Sequence, residues 1–326
     1  MITSDAFCPV EMKDGGAFFR EIFSQFPPQI HSENNFTTMI AWQAYSDYSY
    51  AYLNDTLLIS AVINETRLFH APIGPPRNPA LLRDLLRLSA ETGGDRPFYI
   101  FERPPTRDWI LHELPGLVLH TDRDFYDYIY LTGDLAHLPP GKRYLGIRKH
   151  INKFNRKCSF KVETISNENV PEIKEFLRKW CEWKHCEENE VLAHEKTAVL
   201  FCITHFAELG LEGLLIRVDG KISALSIYEG GMNDDMALIH FEKGLPDCEG
   251  NYKVINQETA RYLEEQKGYA FINRESDLGV PGLREAKLRY YPHHFAEVWY
   301  AEKKISCVSS VRSRNVWELT EYNNVI

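Results

Sequence analysis

The chain has 326 residues, of which 44% are hydrophobic and 25% are charged, and its formal net charge is −9. This length suits two domains of about 150 residues each, and the composition excludes disordered and fibrous classes. The acidic balance opposes a general attraction to nucleic acid or anionic lipid, so any contact with a polyanion requires a local basic patch.

The first half of the chain predicts a mixed α/β unit. Apolar residues at helical spacing predict two helices, over 14–26 and 79–91. Runs rich in β-branched and aromatic residues, broken by short polar turns, predict strands at 48–53, 57–63, 67–71, 97–102 and 126–131. We assign these elements to a first domain over residues 1–140.

The second half repeats a similar order of elements. Its predicted strands are 159–165, 212–218, 221–229, 235–243, 269–275 and 294–301. Its predicted helices are 171–186, 194–209, 250–268 and a short helix after Pro281, with Gly268 as a left-handed cap. We assign these elements to a second domain over 159–304, followed by a tail over 305–326.

A basic segment, 142–161, lies between the two halves and contains eight Lys or Arg among its twenty residues. Ile147, Ile151 and Phe154 form one apolar stripe, which predicts an amphipathic linker helix over 141–158. The remaining surface is a candidate site for the phosphates of tRNA or an anionic lipid, and the alternative is a solvated helix face. The candidate residues there are Arg148, Lys149, Lys153 and Arg156.

The seven cysteines are scattered without a CxxC pair, which predicts reduced thiols rather than a disulfide framework. The residues after Met1 lack the basic start and apolar core of a secretory signal. No run approaches the ~20 apolar residues that span a bilayer. We therefore expect a cytoplasmic protein with no membrane span. We also expect no metal site, because Cys181, His185 and Cys186 lack a second ligand pair at zinc spacing.

The segment 273–290 concentrates polar side chains directly after a predicted buried strand. Alternation along that strand predicts that Asn273 and Glu275 share one face, and Asp277 joins them if the chain stays extended. A carboxylate there can accept a proton from an attacking amine. Glu242, at the end of a neighbouring predicted strand, is a further candidate base. The alternative is an ion-pair network with nearby cations that pins the turn.

A second group of candidates would bind the anionic part of a donor. Arg284 and Lys287 fall three residues apart on one helix face, where like charges need an anion between them. The helix that begins near Gly250 offers backbone N–H groups to a phosphate, although Asp247 and Glu249 oppose an anion. An ordinary capped helix start is the alternative. The donor-binding candidates are Gly250, Asn251, Tyr252, Arg274, Arg284 and Lys287.

The order of elements in the second half resembles that of a GNAT-type acyltransferase. More specifically, the chain up to about residue 304 resembles the phosphatidylglycerol lysyltransferase C-terminal domain family. The resemblance is carried by the basic helix and by several short motifs. These are SENNFTTMIAW at 32–42, Asn273-Arg274-Glu275, Asp277-Leu278-Gly279, and Gly282-Leu283-Arg284 with Ala286-Lys287-Leu288.

The resemblance implies an α+β fold of two tandem GNAT-like domains, each a mixed, mostly antiparallel sheet flanked by helices and related to Fem-type aminoacyl transferases. It implies transfer of an activated acyl or aminoacyl group to an amine or hydroxyl, with the site in the C-terminal domain. The implied donor is acyl-CoA or aminoacyl-tRNA, with no covalently bound cofactor. The alternative is a non-catalytic binding module on the same fold.

Overall fold

The computed structural model describes residues 2–14, 16–25, 30–74, 77–102, 104–188, 190–233 and 235–303. The tail over 305–326 lies outside the described residues. In chain order, helices α1 to α11 are Gly16–Gln25, Phe36–Ala41, Gln43–Ser46, Pro79–Thr92, Pro104–Glu113, Thr132–His137, Leu145–Lys157, Val170–Lys184, Glu190–Thr204, Asn251–Tyr262 and Pro281–Leu288. Strands β1 to β14 are Cys8–Pro9, Ser49–Leu53, Thr56–Ile63, Thr66–His70, Phe98–Ile100, Leu119–Thr121, Asp127–Leu131, Phe160–Thr164, Glu212–Val218, Lys221–Asn233, Met236–Gly244, Phe271–Asn273, His294–Ala296 and Trp299–Ala301.

The strands form two mixed sheets flanked by helices, which confirms the predicted α+β class with two mixed, mostly antiparallel sheets. The first sheet has the order β1-β2-β3-β4-β5-β14-β6, and the second has the order β13-β7-β12-β11-β10-β9-β8. In each sheet a single parallel pair interrupts an otherwise antiparallel ladder: β4 with β5, and β11 with β12. The two sheets therefore share an internal plan without a visible sequence repeat.

Two strands lie in a different sheet from the one predicted. We expected β7 to complete the first unit, but it pairs with β12 and β13 in the second sheet. The strand predicted at 294–301 is two strands, and β14 pairs with β5 and β6 in the first sheet. The prediction was wrong because Tyr128, Ile129 and Tyr130 are all buried, so their pattern indicates a strand without indicating its partner.

The largest apolar cluster fills the space between the two sheets. Helices α1, α2, α8 and α9 contribute to it, as do inward residues such as Leu57 of β3 and Leu225 of β10. On the other face of the second sheet, α7 and α10 pack over β9, β10 and β11. Strands β10 and β11 are therefore covered on both faces, and polar side chains on them are isolated from bulk water.

The basic segment forms helix α7 with Ile147, Ile151 and Phe154 buried, so the predicted amphipathic helix is confirmed. The predicted helix over 250–268 is also confirmed: α10 continues as a π-turn over Leu263–Lys267 and ends at Gly268, where φ is +73°. None of the helices in the described ranges is both long enough and apolar enough to cross a membrane.

Helix α2 was not predicted, because Phe36–Ala41 are buried on every side and show no polar face. The side-chain oxygen of Asn35 caps this helix by accepting a hydrogen bond from Thr38 N at 3.0 Å. Helices α5 and α6 were missed as well. The first of these has no strong apolar stripe, and the second is only six residues long.

The expectation of unpaired thiols is not met at four positions. Cys158 is joined to Cys248, and Cys181 is joined to Cys186. The first pair forms because the end of α7 packs beside the loop that precedes α10, a contact between residues 90 positions apart that no local pattern reveals. In the second pair, His185 adopts φ of +53° at the end of α8 and turns the chain back.

Candidate active site

The site lies where strands β11 and β12 separate. Their parallel register covers three residue pairs and ends at Leu238 and Asn273. Strand β11 continues to Gly244, whereas the backbone after Asn273 stays beside β7, with Arg274 N donating to Tyr128 O at 3.0 Å. Glu275 then turns the chain with φ of +57°. Side chains of β11 therefore face those of residues 274 and 275 across this opening.

Asn273 holds the backbone that carries Glu275. The Asn273 side chain is fully buried, and its Nδ2 donates to Asp127 Oδ2 and to Ile30 O, both at 2.8 Å. Its Oδ1 accepts a hydrogen bond from Glu275 N at 2.7 Å. The Asn273 amide is thus fixed on three sides, and it determines where the Glu275 backbone begins its turn.

His240 connects Glu275 to a second buried carboxylate. Its Nδ1 lies 3.2 Å from Glu275 Oε1, and its Nε2 lies 2.9 Å from Glu229 Oε1. Carboxylates only accept hydrogen bonds, so both ring nitrogens must carry a proton and the ring is an imidazolium. Burial alone would lower the pKa of His240, but the hydrogen bonds to and charges of Glu229 and Glu275 raise it to about 9.

Exposure differs along this chain of three groups. The side chains of His240 and Glu229 are 3% and 6% exposed, whereas that of Glu275 is 27% exposed. Glu275 is therefore the end of the chain that a substrate can reach. Sequence reasoning named Glu275 but missed His240 and Glu229, since each stands alone in an apolar strand and resembles an isolated polar residue.

The first unit contributes a polar segment, His31–Asn35, to the same region. Ser32 donates from its backbone N to Asp127 Oδ2 at 2.7 Å and from its hydroxyl to Oδ1 at 3.1 Å. Asn35 donates to the carboxylate of Glu229 and so helps to hold the pKa of that carboxyl low, although burial opposes this. In the sequence, this segment was recognised only as a family motif. The feature that could have identified it as part of the site is its polar run before an apolar helix.

Glu242 belongs to a separate cluster on the opposite face of β11. Its carboxylate forms an ion pair with Arg274 and accepts from Asn256 Nδ2 at 3.2 Å. The Arg274 guanidinium lies 5.0 Å from the Tyr290 ring centre, and its Nε and Nη1 have no hydrogen-bond partner among the described residues. Glu242 and Glu275 are therefore not brought together, and Arg274 Nε and Nη1 are buried without a hydrogen-bond partner among the described residues.

A cationic group surrounds Arg274. Burial lowers the pKa of Lys253, and the charges of Arg289 and Arg274 lower it further. The three cations therefore lie near one another, and an anion placed among them would relieve their repulsion. Lys253 and Arg289 were not among the predicted site residues. Arg289 forms an ion pair with Glu285 at 2.6 Å on the surface.

Asp277 does not join Glu275. Its buried carboxylate accepts from Arg284 Nε at 2.9 Å and Nη2 at 2.7 Å, from Gly279 N at 2.9 Å, and from the Tyr128 hydroxyl. Although burial alone would raise the pKa of Asp277, these hydrogen bonds lower it. The condition for Asp277 to join Glu275, an extended chain, is not met because the backbone turns at Glu275. Asp277 instead pairs with Arg284 and pins the turn, which is the alternative given above.

Arg284 and Lys287 likewise have internal partners. Arg284 also pairs with Asp124 at 2.6 Å, and it lines a surface hollow of about 510 Å³ together with neighbours that include Leu288 and Tyr291. The Lys287 ammonium donates to three carbonyl oxygens of the turn, those of residues 274, 275 and 276, at 2.5, 3.1 and 2.6 Å. We expected one anion to lie between the two cations. Instead, Arg284 is bound by Asp277 and Lys287 by backbone oxygens.

The start of α10 is filled by contacts within the chain. Asn251 Nδ2 donates to Leu245 O at 2.6 Å and to Ser223 O at 3.1 Å, and the Tyr252 hydroxyl accepts from Trp180 at 3.2 Å. At Gly250, φ is +106°, and a Cβ would lie 3.0 Å from a carbonyl oxygen of α7. These contacts fit the alternative of a structural helix start better than a phosphate cradle.

The candidate polyanion surface on α7 divides into two pairs. Arg148 donates to the carbonyl oxygens of Leu138, Pro139 and Gly141, and Lys153 forms an ion pair with Glu249. Lys149 and Arg156, by contrast, are exposed. Only the second pair keeps its charge directed to solvent.

Comparison with known proteins identifies relatives of this chain. A conserved protein of unknown function from Bacteroides thetaiotaomicron has 28% sequence identity and a TM-score of 0.81, over 91% of this chain and 98% of that one. The structure described as L-PGS from Bacillus licheniformis has 14% identity and a TM-score of 0.61, over 91% of this chain and 94% of that one, and supports the fold alone. No match was found among curated protein sequences.

The sequence profile of one protein family covers most of the chain. It matches residues 25–302, a range that contains both sheets except β1, as well as Glu33, His240 and Glu275. The family's description is phosphatidylglycerol lysyltransferase, C-terminal. The chain belongs to this family, as its motifs at 32–42 and 273–288 predicted.

Proposed function

We propose that the protein is an acyl or aminoacyl transferase whose reaction takes place at Glu275. The observation that carries this proposal is the buried imidazolium of His240, which lies between Glu229 and the partly exposed Glu275. A carboxylate fixed in this way at the separation of two strands is placed to receive a proton from a substrate. Membership of a transferase family supports the reaction class.

In the proposed reaction, an amine or hydroxyl attacks the carbonyl carbon of an activated acyl group, and Glu275 accepts the proton of the nucleophile. Asn273 positions Glu275 through the hydrogen bond to its backbone N–H. We propose that backbone N–H groups stabilise the oxyanion, as in other acyl transfers. Glu242 is less suited to the role of base, since its carboxylate is held by Arg274.

The donor would bind through its anionic part. Arg274 has two buried nitrogen atoms, Nε and Nη1, without a partner among the described residues, and Lys253 and Arg289 add positive charge nearby. Aminoacyl-tRNA and acyl-CoA both carry phosphates that suit such a group, and both are cytoplasmic compounds, so we place the reaction in the cytoplasm. For a tRNA donor or a lipid acceptor, Lys149 and Arg156 on α7 offer further contacts.

A screen of donors tests this function. The protein is incubated separately with acyl-CoAs and with aminoacyl-tRNAs, each with amine, hydroxyl and anionic lipid acceptors, and products are identified by mass spectrometry. We expect transfer from one donor class and loss of this transfer in the Glu275→Gln variant. Donors that raise the melting temperature without any transfer would instead indicate a binding module.

A further inference from the structure

Glu33 of the first unit lies near Glu275, since the charge of Glu275 acts on the Glu33 carboxyl. A continuous series of hydrogen bonds links the two positions: Ser32 to Asp127, Asp127 to Asn273, and Asn273 to the backbone N of Glu275. Each of these bonds is 2.7 or 2.8 Å long. Ser32, the residue before Glu33, is thus one end of the series, and Glu275 is the other end.

The Glu33 carboxyl is held in a defined orientation. The Tyr48 hydroxyl donates to Glu33 Oε2 at 2.6 Å, and Glu33 N donates to His31 Nδ1 at 3.1 Å. Tyr48 is almost completely buried, whereas Glu33 is half-buried. Because Tyr48 occupies Oε2, a proton on this carboxyl resides on Oε1.

We propose that Glu33 is a second catalytic residue, which donates its proton to the leaving group while Glu275 accepts the proton of the nucleophile. This inference rests on the proposed transferase function. In the step, the bond from the acceptor nitrogen or oxygen to the acyl carbon forms, and the bond from that carbon to the donor's leaving atom breaks. One proton passes from the nucleophile to Glu275, and one passes from Glu33 Oε1 to the leaving atom. Tyr48 is a positioning residue.

The surroundings of the two carboxyl groups differ in a way that suits Glu33 as the proton donor and Glu275 as the proton acceptor. The Glu275 carboxylate lies 3.2 Å from Nδ1 of the buried His240 ring. Burial raises the pKa of Glu33, and the charges of Asp127 and Glu275 raise it further, whereas Tyr48 and His31 lower it. Two carboxyls with opposite environments are the usual arrangement of an acid and a base in one site.

The role of Glu33 depends on the leaving group. An oxygen ester, such as an aminoacyl ester of ribose, releases an alkoxide, which is a strong base and requires a proton as it leaves. A thioester releases a thiolate, which departs more readily without a proton because thiols are much stronger acids than alcohols. A dedicated proton donor therefore favours oxygen esters as donors.

Protonation of Glu33 can be measured without any substrate. Protein labelled with ¹³C at the glutamate side-chain carboxyl is titrated by NMR, and the Glu33 signal is assigned as the one absent from Glu33→Gln. We expect this carboxyl to titrate above the ordinary value of 4.5, and Tyr48→Phe to move it higher still, because the Tyr48 hydrogen bond lowers it. A Glu33 carboxyl that titrates at or below 4.5 would overturn the proposal.

The leaving-group dependence gives the second test. Transfer of one acyl group is compared from an oxygen ester and from a thioester that carry the same phosphate group, so that both donors keep an anionic part. Glu33→Gln, with its fold checked by circular dichroism, should slow transfer from the oxygen ester by about 10²-fold or more and transfer from the thioester much less. Equal effects on both donors, or none, would refute the role of Glu33 even if Glu275→Gln abolishes transfer. If Glu275→Gln has no effect, the proposed function itself fails.

Discussion

Glu275 accepts a hydrogen bond at 3.2 Å from Nδ1 of His240, across the opening between the end of β12 and strand β11. The two residues are 35 positions apart in the chain. They meet because the parallel pairing of β11 with β12 covers three residue pairs, after which the two strands separate. Since the second ring nitrogen is hydrogen-bonded to Glu229, the contact holds a buried positive charge against Glu275, the more exposed of the two carboxylates.

The charge on His240 predicts a specific dependence of stability on pH. Its pKa in the folded protein is about 9, above the ordinary 6.5, so its contribution is fully present below pH 6.5 and is lost as pH rises through 9. Each pKa unit corresponds to about 1.4 kcal/mol. Urea unfolding between pH 6 and 10 should show this decline in the free energy of unfolding.

Replacement of His240 tests the same charge directly. His240→Gln leaves Glu229 and Glu275 without their cation and should lower the free energy of unfolding at pH 7 by about 3–5 kcal/mol. The matched control is His112→Gln, whose side chain is 84% exposed beside Glu113 and should change stability by less than about 1 kcal/mol. Similar small losses in both variants would show that the His240 network is not formed.

Asp277 should matter for stability because it pins the turn that carries the site. Asp277→Asn keeps the side-chain shape but removes the charge that Arg284 and Arg123 share, and we expect a loss of about 3–5 kcal/mol in chemical unfolding. Asp124→Asn removes the other partner of Arg284, an exposed one, and should cost less than about 1 kcal/mol. If the two losses are equal, burial of Asp277 is not what gives the pair its strength.

The two kinds of basic residue on α7 predict separable effects. Replacement of both Lys149 and Arg156 by Glu should weaken binding to tRNA or to vesicles of anionic lipid, and should reduce its salt dependence, without a change in melting temperature. Arg148→Ala should instead lower the melting temperature, because three carbonyl oxygens lose their donor. Unchanged affinity in the double variant would leave α7 with a solvated face and no polyanion site.

Local patterns in the sequence predicted much of the fold. The apolar stripe of Ile147, Ile151 and Phe154 predicted α7, and Gly268 predicted where the helix after β11 ends. These features depend on residues a few positions apart, and the physical rule for each acts within one element. The same reasoning failed at α2, where burial on all sides removes the pattern on which it depends.

The features that local patterns could not predict depend on contacts between residues that are distant in the chain. Strand β7 carries buried side chains on both faces, so nothing local distinguishes the first sheet from the second. At the site, alternation correctly separated Glu275 from Arg274, but the left-handed turn at Glu275 sent Asp277 to Arg284 instead. His240 and Glu33 come from distant parts of the chain and were not predicted as site residues, because only the fold brings them to Glu275.

The central claim is that Glu275 accepts the proton of the nucleophile. Its most direct test is the single-turnover rate of acyl transfer, with the donor and acceptor found by the screen, for Glu275→Gln and for the control Glu91→Gln, an exposed residue of α4. We predict a fall of about 10²–10⁴-fold for Glu275→Gln, with the fold retained, and no change for Glu91→Gln. A Glu275→Gln variant that transfers the acyl group at the wild-type rate would contradict it.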